Sequence, residues 1–333
     1  MSNGNPPSPA PHVDTREHLT SPTVQSSLRI QNTMLAATRR FLADQGFVEL
    51  LPPIIGPVTD PGIRGSKQVD IDYYGHRYKV MTSVILYKQT SLLAFDKIFY
   101  VAPNVRLEPP ETISTQRHLA EFHQIDVEMA GGRRADVIRL LEDLLRHQAA
   151  AIEAENGAEL THLGRSPAAF KSLQERPFDR MTHAAAVSAL RDLGHDQSPD
   201  AEIDWRGEEI LSRATGKPFF ITDYPKGSRG FTDGESLTEP GTLRNFDLIA
   251  PDGYGEICSG GEREYEYRRL VTRMRETGEN PSKYAWYLEI AKQGLPSSAG
   301  FGLGVQRLTR YLAGLDGAWQ ATAYPKFPGV MSP

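Results

Sequence analysis

The segments KIFYVA (Lys97–Ala102) and FHQIDVEM (Phe122–Met129) decide the fold. Both are short apolar and β-branched runs, long enough for strands and too short for stable helices. They are near neighbours in the chain, and the clustering recurs. Tyr78–Met81 precedes them, and Phe219–Thr222, Asn245–Ile249, Glu256–Gly260 and Phe301–Gly304 follow. Helical patterns lie at Ser83–Ala94, Ala135–Glu155, His183–Leu193, Glu208–Thr215 and about Val305–Ala313. Strands and helices do not alternate as a doubly wound parallel sheet requires. The pattern therefore predicts an α+β fold with a mostly antiparallel sheet flanked by helices.

Towards the N-terminus, Leu28, Ile30, Met34, Leu35, Phe41 and Leu42 fall close to i, i+3/i+4 spacing, with Gly46 suited to the residue after a helix. Phe47–Ile55 reads as a strand whose Pro52 and Pro53 restrict it to an edge or interface. Residues 1–22 contain five prolines and read as a flexible leader, leaving 23–333 as the folded part. Within it, residues 156–216 read as an elaboration on the sheet.

Composition excludes several classes. With 37 Lys+Arg against 42 Asp+Glu, the net charge of −5 provides no general attraction to DNA or RNA. The single cysteine, Cys258, rules out a disulfide framework and a multi-cysteine zinc site, and fits a reducing, cytoplasmic setting. No apolar run approaches the roughly 18–20 residues needed to cross a bilayer, so no membrane partner is expected.

Three constellations carry chemistry. Val105-Arg106-Leu107-Glu108 and Arg117-His118-Leu119-Ala120-Glu121-Phe122 flank a polar loop and put Arg106, Glu108 and Phe122 on one sheet face. A guanidinium there grips a phosphate and an aromatic ring stacks on a base, although a hairpin with surface ion pairs has the same pattern. In Glu256-Ile257-Cys258-Ser259-Gly260-Gly261-Glu262-Arg263, a carboxylate and a hydroxyl three residues apart suit Mg²⁺, or a plain strand ending in a glycine turn. In Gly300-Phe301-Gly302-Leu303-Gly304-Val305-Gln306-Arg307, glycines alternate with apolar residues before a helix. This is neither a dinucleotide loop nor a P-loop; it suits a flat ligand lying against a strand, with Arg307 reaching a phosphate.

In this order the three resemble the signature motifs of class II aminoacyl-tRNA synthetases, aspartyl/asparaginyl branch. GFVELLPP is similar to the first motif, VRLE…RHLAEFHQIDVEMA to the second and GFGLGVQRL to the third. GEICSGGEREYEYRRL and NPSKYAWYLEIAKQGLPSSAG extend the likeness across about residues 22–333. The resemblance implies a homodimeric ATP-dependent ligase that forms an acyl-adenylate. Arg106 would contact the α-phosphate, Phe122 would stack on adenine and Glu108 would read its amino edge. Arg307 would take the other adenine face or the γ-phosphate, making Arg106 and Arg307 the catalytic pair. His118 would join the ATP residues, and Glu256 and Ser259 would hold Mg²⁺. Asp60, Ser83, Lys88, Gln124, Arg263 and Gly302 would surround the amino acid.

Two expectations follow about the reaction. Lys88 and Arg263 in one pocket fit a dianion, which favours aspartate or a close analogue as the acid. The family's anticodon-binding barrel, on the order of 100 residues, has no counterpart before the first motif. That favours transfer to ammonia or a small amine, as in the asparagine synthetase related to asparaginyl-tRNA synthetase, and makes tRNA an improbable partner. The alternatives are transfer to tRNA, a carrier protein or a metabolite, and a non-catalytic binding protein. Ile85 stands where the family has glutamine, Asp60 where it has glutamate and Gln306 where it has an acidic residue.

Overall fold

The computed structural model describes residues 13–60, 66–166, 168–175 and 177–333. Its main sheet has eight strands: β1 (Val48–Glu49), β5 (Lys97–Val105), β6 (Glu121–Ala130), β7 (Asp179–Thr182), β8 (Phe219–Thr222), β9 (Asn245–Ala250), β10 (Gly255–Glu262) and β11 (Ser298–Gly304). They lie in the order β1-β5-β6-β11-β10-β9-β8-β7. The two outermost pairs, β1–β5 and β7–β8, are parallel, and every pairing between them is antiparallel. A small second sheet combines β2 (Ile55–Gly56), β3 (Asp70–Tyr73) and β4 (His76–Val80).

The helices are α1 (Thr15–Thr20), α2 (Pro22–Asp44), α3 (Ile85–Ser91), α4 (Arg134–Glu155), α5 (Gly157–His162), α6 (Ala168–Gln174), α7 (His183–Asp192), α8 (Trp205–Thr215), α9 (Tyr267–Glu276), α10 (Ala285–Gly294) and α11 (Val305–Ala313). None of the described helices is long and apolar enough to cross a membrane. Helix already occupies Thr15–Thr20 and begins again at Pro22, within the stretch the sequence reads as leader. Asp14 caps the first of these by accepting the Glu17 amide; residues 1–12 lie outside the described residues. The strand expected over 47–55 is reduced to two residue pairs, because Pro52 and Pro53 lack the amide hydrogens a ladder requires.

The two-residue period of the central strands divides the sheet into a dry face and a chemical face. Ile125 and Val127 of β6, Phe301 and Leu303 of β11, and Phe246 and Leu248 of β9 join one buried cluster. It includes Ile30 and Met34 of α2, Leu141 and Leu145 of α4, and Leu308 and Leu312 of α11. The alternate residues Gln124, Asp126 and Glu128 lie directly opposite Gly304, Gly302 and Gly300, and Ser259 and Asp247 continue the row across β10 and β9. Glycine is required at position 300, where a Cβ would collide with the Val127 carbonyl and the Glu128 carboxylate. The glycines thus leave room for carboxylates on the chemical face.

Candidate active site

Arg106, Glu108, His118, Phe122, Gln124, Glu256, Gly302 and Arg307 all line one cleft on the chemical face. Arg106 follows directly on β5, its guanidinium 5.0 Å from the centre of the Phe122 ring, and its Nε donates to the Thr82 carbonyl at 3.1 Å. Phe122 projects from β6 opposite Asn104. The loop between β5 and β6 is tied to the C-terminal segment: the Ala120 amide donates to the Lys326 carbonyl and the Ala318 amide to the Gln116 carbonyl, both at 2.8 Å. Within that loop Thr115 Oγ1 and His118 Nδ1 are 2.5 Å apart, which orients the imidazole. Gln306 accepts the His123 amide at 2.9 Å, so the neutral side chain serves there as a strand-capping acceptor.

At the far end of the cleft, Glu256 lies between two arginines. Arg307 Nη1 is 3.3 Å from one carboxylate oxygen and Arg117 Nη2 3.8 Å from the other. Arg117 is itself buried in an ion pair with Glu208 of α8 at 2.6 Å. Burial opposes the charge of Arg117, but Glu208 and Glu256 more than offset it and hold the guanidinium above its ordinary range. Arg307 goes the other way: burial, then the neighbouring Arg117, pull it down to about 10. It stays a cation at neutral pH, held against repulsion that an incoming polyanion relieves.

The Ser259 hydroxyl accepts from Arg229 Nη1 at 3.2 Å, and Arg229 Nη2 lies 2.5 Å from Asp247, the residue facing Ser259 across the ladder. Glu256, Ser259 and Asp247 are hard oxygen donors of the kind Mg²⁺ takes, with water and phosphate completing the shell. No cluster of three or more His, Cys, Asp or Glu groups with metal-binding geometry occurs among the described residues.

Lys88 and Arg263 do meet, through carboxylates the sequence reading did not single out. Lys88 Nζ is 3.0 Å from Asp126, 3.7 Å from Glu128 and 3.1 Å from the Phe301 carbonyl, with 2% of its side chain exposed. Arg263 Nε donates to Glu128 at 3.2 Å, while its Nη1 reaches Asp233 at the same distance. Ser298 Oγ donates to Glu128 at 2.9 Å. The five charged groups comprise two cations and three anions. Asp126 Oδ2 is buried without a hydrogen-bond partner, and the carboxylate borders Gly302, where a Cβ would approach Oδ1 to 3.1 Å. The expectation of a dianion pocket is therefore corrected: both cations are already neutralised inside the protein.

The remaining predicted residues frame this pocket. Gln124 accepts from Asn104 at 3.2 Å and borders Gly302. Ser83 Oγ accepts the Ile85 amide at 3.2 Å, and the Asp60 carbonyl accepts from Thr82 Oγ1 at 3.2 Å. The Asp60 carboxylate, after burial and Glu279, helps push the Tyr284 phenol above its ordinary range, which places Asp60 near α10. Pro61 and Gly62, which follow Asp60 in the chain, lie outside the described residues. Ile85 is buried with Val58, Phe231 and Tyr284, so this departure from the family residue extends an apolar wall. Gln89 is structural: it donates to the Glu264 carbonyl and accepts from the Tyr287 hydroxyl.

Comparison with known proteins finds relatives over nearly the whole chain. A family profile described as tRNA synthetases class II (D, K and N) matches residues 14–328. The asparagine–tRNA ligase of Pyrococcus abyssi is 31% identical over 322 residues, covering 95% of this chain and 71% of that protein. The corresponding ligase of Lactobacillus delbrueckii subsp. bulgaricus is 31% identical over 306 residues, covering 92% and 70%. The crystal structure of asparaginyl-tRNA synthetase from Pyrococcus horikoshii with asparaginyl-adenylate superposes with a TM-score of 0.89 at 27% identity, covering 96% of this chain and 72% of that one. These relatives are named for joining asparagine to tRNA. They overturn the expectation of ammonia or a small amine as acceptor, and of tRNA as an improbable partner. An anticodon-gripping barrel adds affinity for RNA but is not the machinery that forms or transfers the acyl group, so it does not decide the acceptor.

Proposed function

The chain belongs to the class II tRNA synthetases (D, K and N) and has their fold, and from that premise we propose that it activates asparagine with ATP and passes the asparaginyl group to a tRNA. The observation that carries the choice of acid is the neutralisation of Lys88 by Asp126 and of Arg263 by Glu128. A pocket with one more anion than cations disfavours a side-chain carboxylate, since like charges placed together cost several kcal/mol. It suits a neutral amide, whose oxygen accepts from Arg263 and whose NH₂ donates to a carboxylate. The substrate's ammonium matches the buried Asp126 oxygen that lacks a partner.

The chemistry follows from charge. The asparagine carboxylate approaches an α-phosphate of like sign, a carbon–oxygen–phosphorus link forms, and pyrophosphate departs with the electron pair of the broken P–O bond. Arg106 and Arg307 supply fixed positive charge where negative charge accumulates, in a site whose dipoles need not reorganise. Phe122 offers its face to adenine, Glu108 its carboxylate to the exocyclic amine, and His118 a further donor to the phosphates. Glu256 and Ser259, with Asp247 alongside, would hold Mg²⁺, which when bound neutralises phosphate charge.

Residues 23–333 are read as one catalytic domain. It works in the cytoplasm as a homodimer, a reading supported by the apolar residues exposed around Pro52 and Pro53, Leu51 (94%) and Ile54 (62%). Amino-acid-dependent ATP–pyrophosphate exchange tests the acid. Asparagine is expected to support exchange with a kcat/KM at least ~100-fold above that of aspartate. Equal activity with aspartate would contradict the neutral-pocket argument.

A further inference from the structure

We propose that α8, in the segment that reads as an elaboration, is a working wall of the ATP site, with Glu208 as the residue that positions Arg117 and Glu256. Glu208 is 1% exposed, and one of its oxygens serves two partners. It accepts from Arg117 Nη2 at 2.6 Å and from the Glu256 backbone amide at 3.2 Å. The first contact fixes a guanidinium that lines the cleft; the second fixes the strand from which the Glu256 carboxylate projects.

One helical turn on, Ser212 repeats the grip on the same hairpin. Its Oγ donates to the Ala250 carbonyl at 2.5 Å and accepts the Gly253 amide at 2.9 Å. Gly255, at φ +73°, completes the fit, because a Cβ there would meet Arg117 Nη1. The β9–β10 turn is therefore set by α8, and β10 carries both Glu256 and Ser259.

Glu208 also keeps two opposite charges from collapsing onto each other. Arg117 is buried, and its nearest other carboxylate is Glu256, 3.8 Å away. Without Glu208, Glu256 is the carboxylate nearest to the guanidinium. Arg117 would then close on Glu256, turn away from the phosphates and displace the Arg307–Glu256 pair at 3.3 Å. Nucleotide binding weakens while the amino-acid pocket, built on Lys88, Asp126, Glu128 and Arg263, keeps its contacts.

The inference rests on the ATP-dependent part of the proposed function but not on the identity of the acid or the acceptor. Its test is therefore calorimetric titration of the full chain with Mg-ATP alone, followed by exchange kinetics. Glu208→Ala is expected to weaken ATP binding about tenfold. Glu208→Gln, which keeps an acceptor oxygen but not the charge, is expected to weaken it about threefold. The amino-acid KM should stay within about twofold in both, because the second pocket is untouched. Arg117→Met combined with Glu208→Ala should be no worse than the more damaging single change, since the two residues act as one unit. Glu209→Ala, at a half-buried neighbour whose carboxylate pairs with Arg213, serves as the control that leaves binding unchanged. If Glu208→Ala does not fold, Glu208→Gln decides. Unchanged ATP affinity in the folded variant overturns the proposal, as do equal losses for ATP and amino acid or multiplicative effects of the two substitutions.

Discussion

Arg106→Ala lowers kcat for ATP–pyrophosphate exchange by about 10²–10³-fold. The guanidinium follows β5, is braced from below by the Thr82 carbonyl and lies over the ring of Phe122. The Thr82 bond uses Nε and leaves the terminal nitrogens facing the cleft. Removing the side chain deletes charge that is already in place when the carboxylate attacks, so the loss falls on the transition state more than on binding. Lysine is not expected to restore activity, because one ammonium cannot hold Thr82 and present a planar donor pair at once. Kinetics at saturating ATP check this; a kcat within threefold of the unsubstituted protein would remove Arg106 from the reaction.

The second large effect is on stability. Lys88→Met strands the Asp126 carboxylate, which is 2% exposed, and leaves Glu128, 0% exposed, with Arg263 alone as its cation. Breaking a buried pair from one side costs about 3–5 kcal/mol, or a fall in melting temperature of about 5–8 °C in a domain of this size. Denaturant unfolding should show the midpoint move with little change in slope. A Lys88 reserved for a substrate carboxylate would behave differently: its loss would leave stability nearly intact and abolish amino-acid binding instead.

The sequence carried the architecture and the residues that line the cleft for one physical reason. The central strands combine a period of two with chemistry on one face, so Phe122 and the glycines of β11 stand out against Ile125, Val127, Phe301 and Leu303. It was less informative about charge balance. Lys88 and Arg263 were visible as cations, but their partners lie 38 and 135 residues away, and only the register shows that Asp126 and Glu128 face them. The signal available was three polar residues, Gln124, Asp126 and Glu128, alternating with Ile125 and Val127 in β6. Glu208 was less visible still, since its role depends on α8 packing across the β9–β10 turn. Helix α9 was missed because Arg268, Arg269, Arg273 and Arg275 interrupt its apolar pattern. Proline at 52 and 53 shortened the expected first strand, a cost that composition announces and a strand reading should have respected.

The central claim is transfer of asparagine to tRNA, and the direct measurement is charging of total tRNA with labelled asparagine by the purified full chain. The expected result is ATP-dependent accumulation of acid-precipitable asparagine that ribonuclease and mild base release. Adenylate formation with asparagine but no label on tRNA, whatever the tRNA concentration, would contradict it.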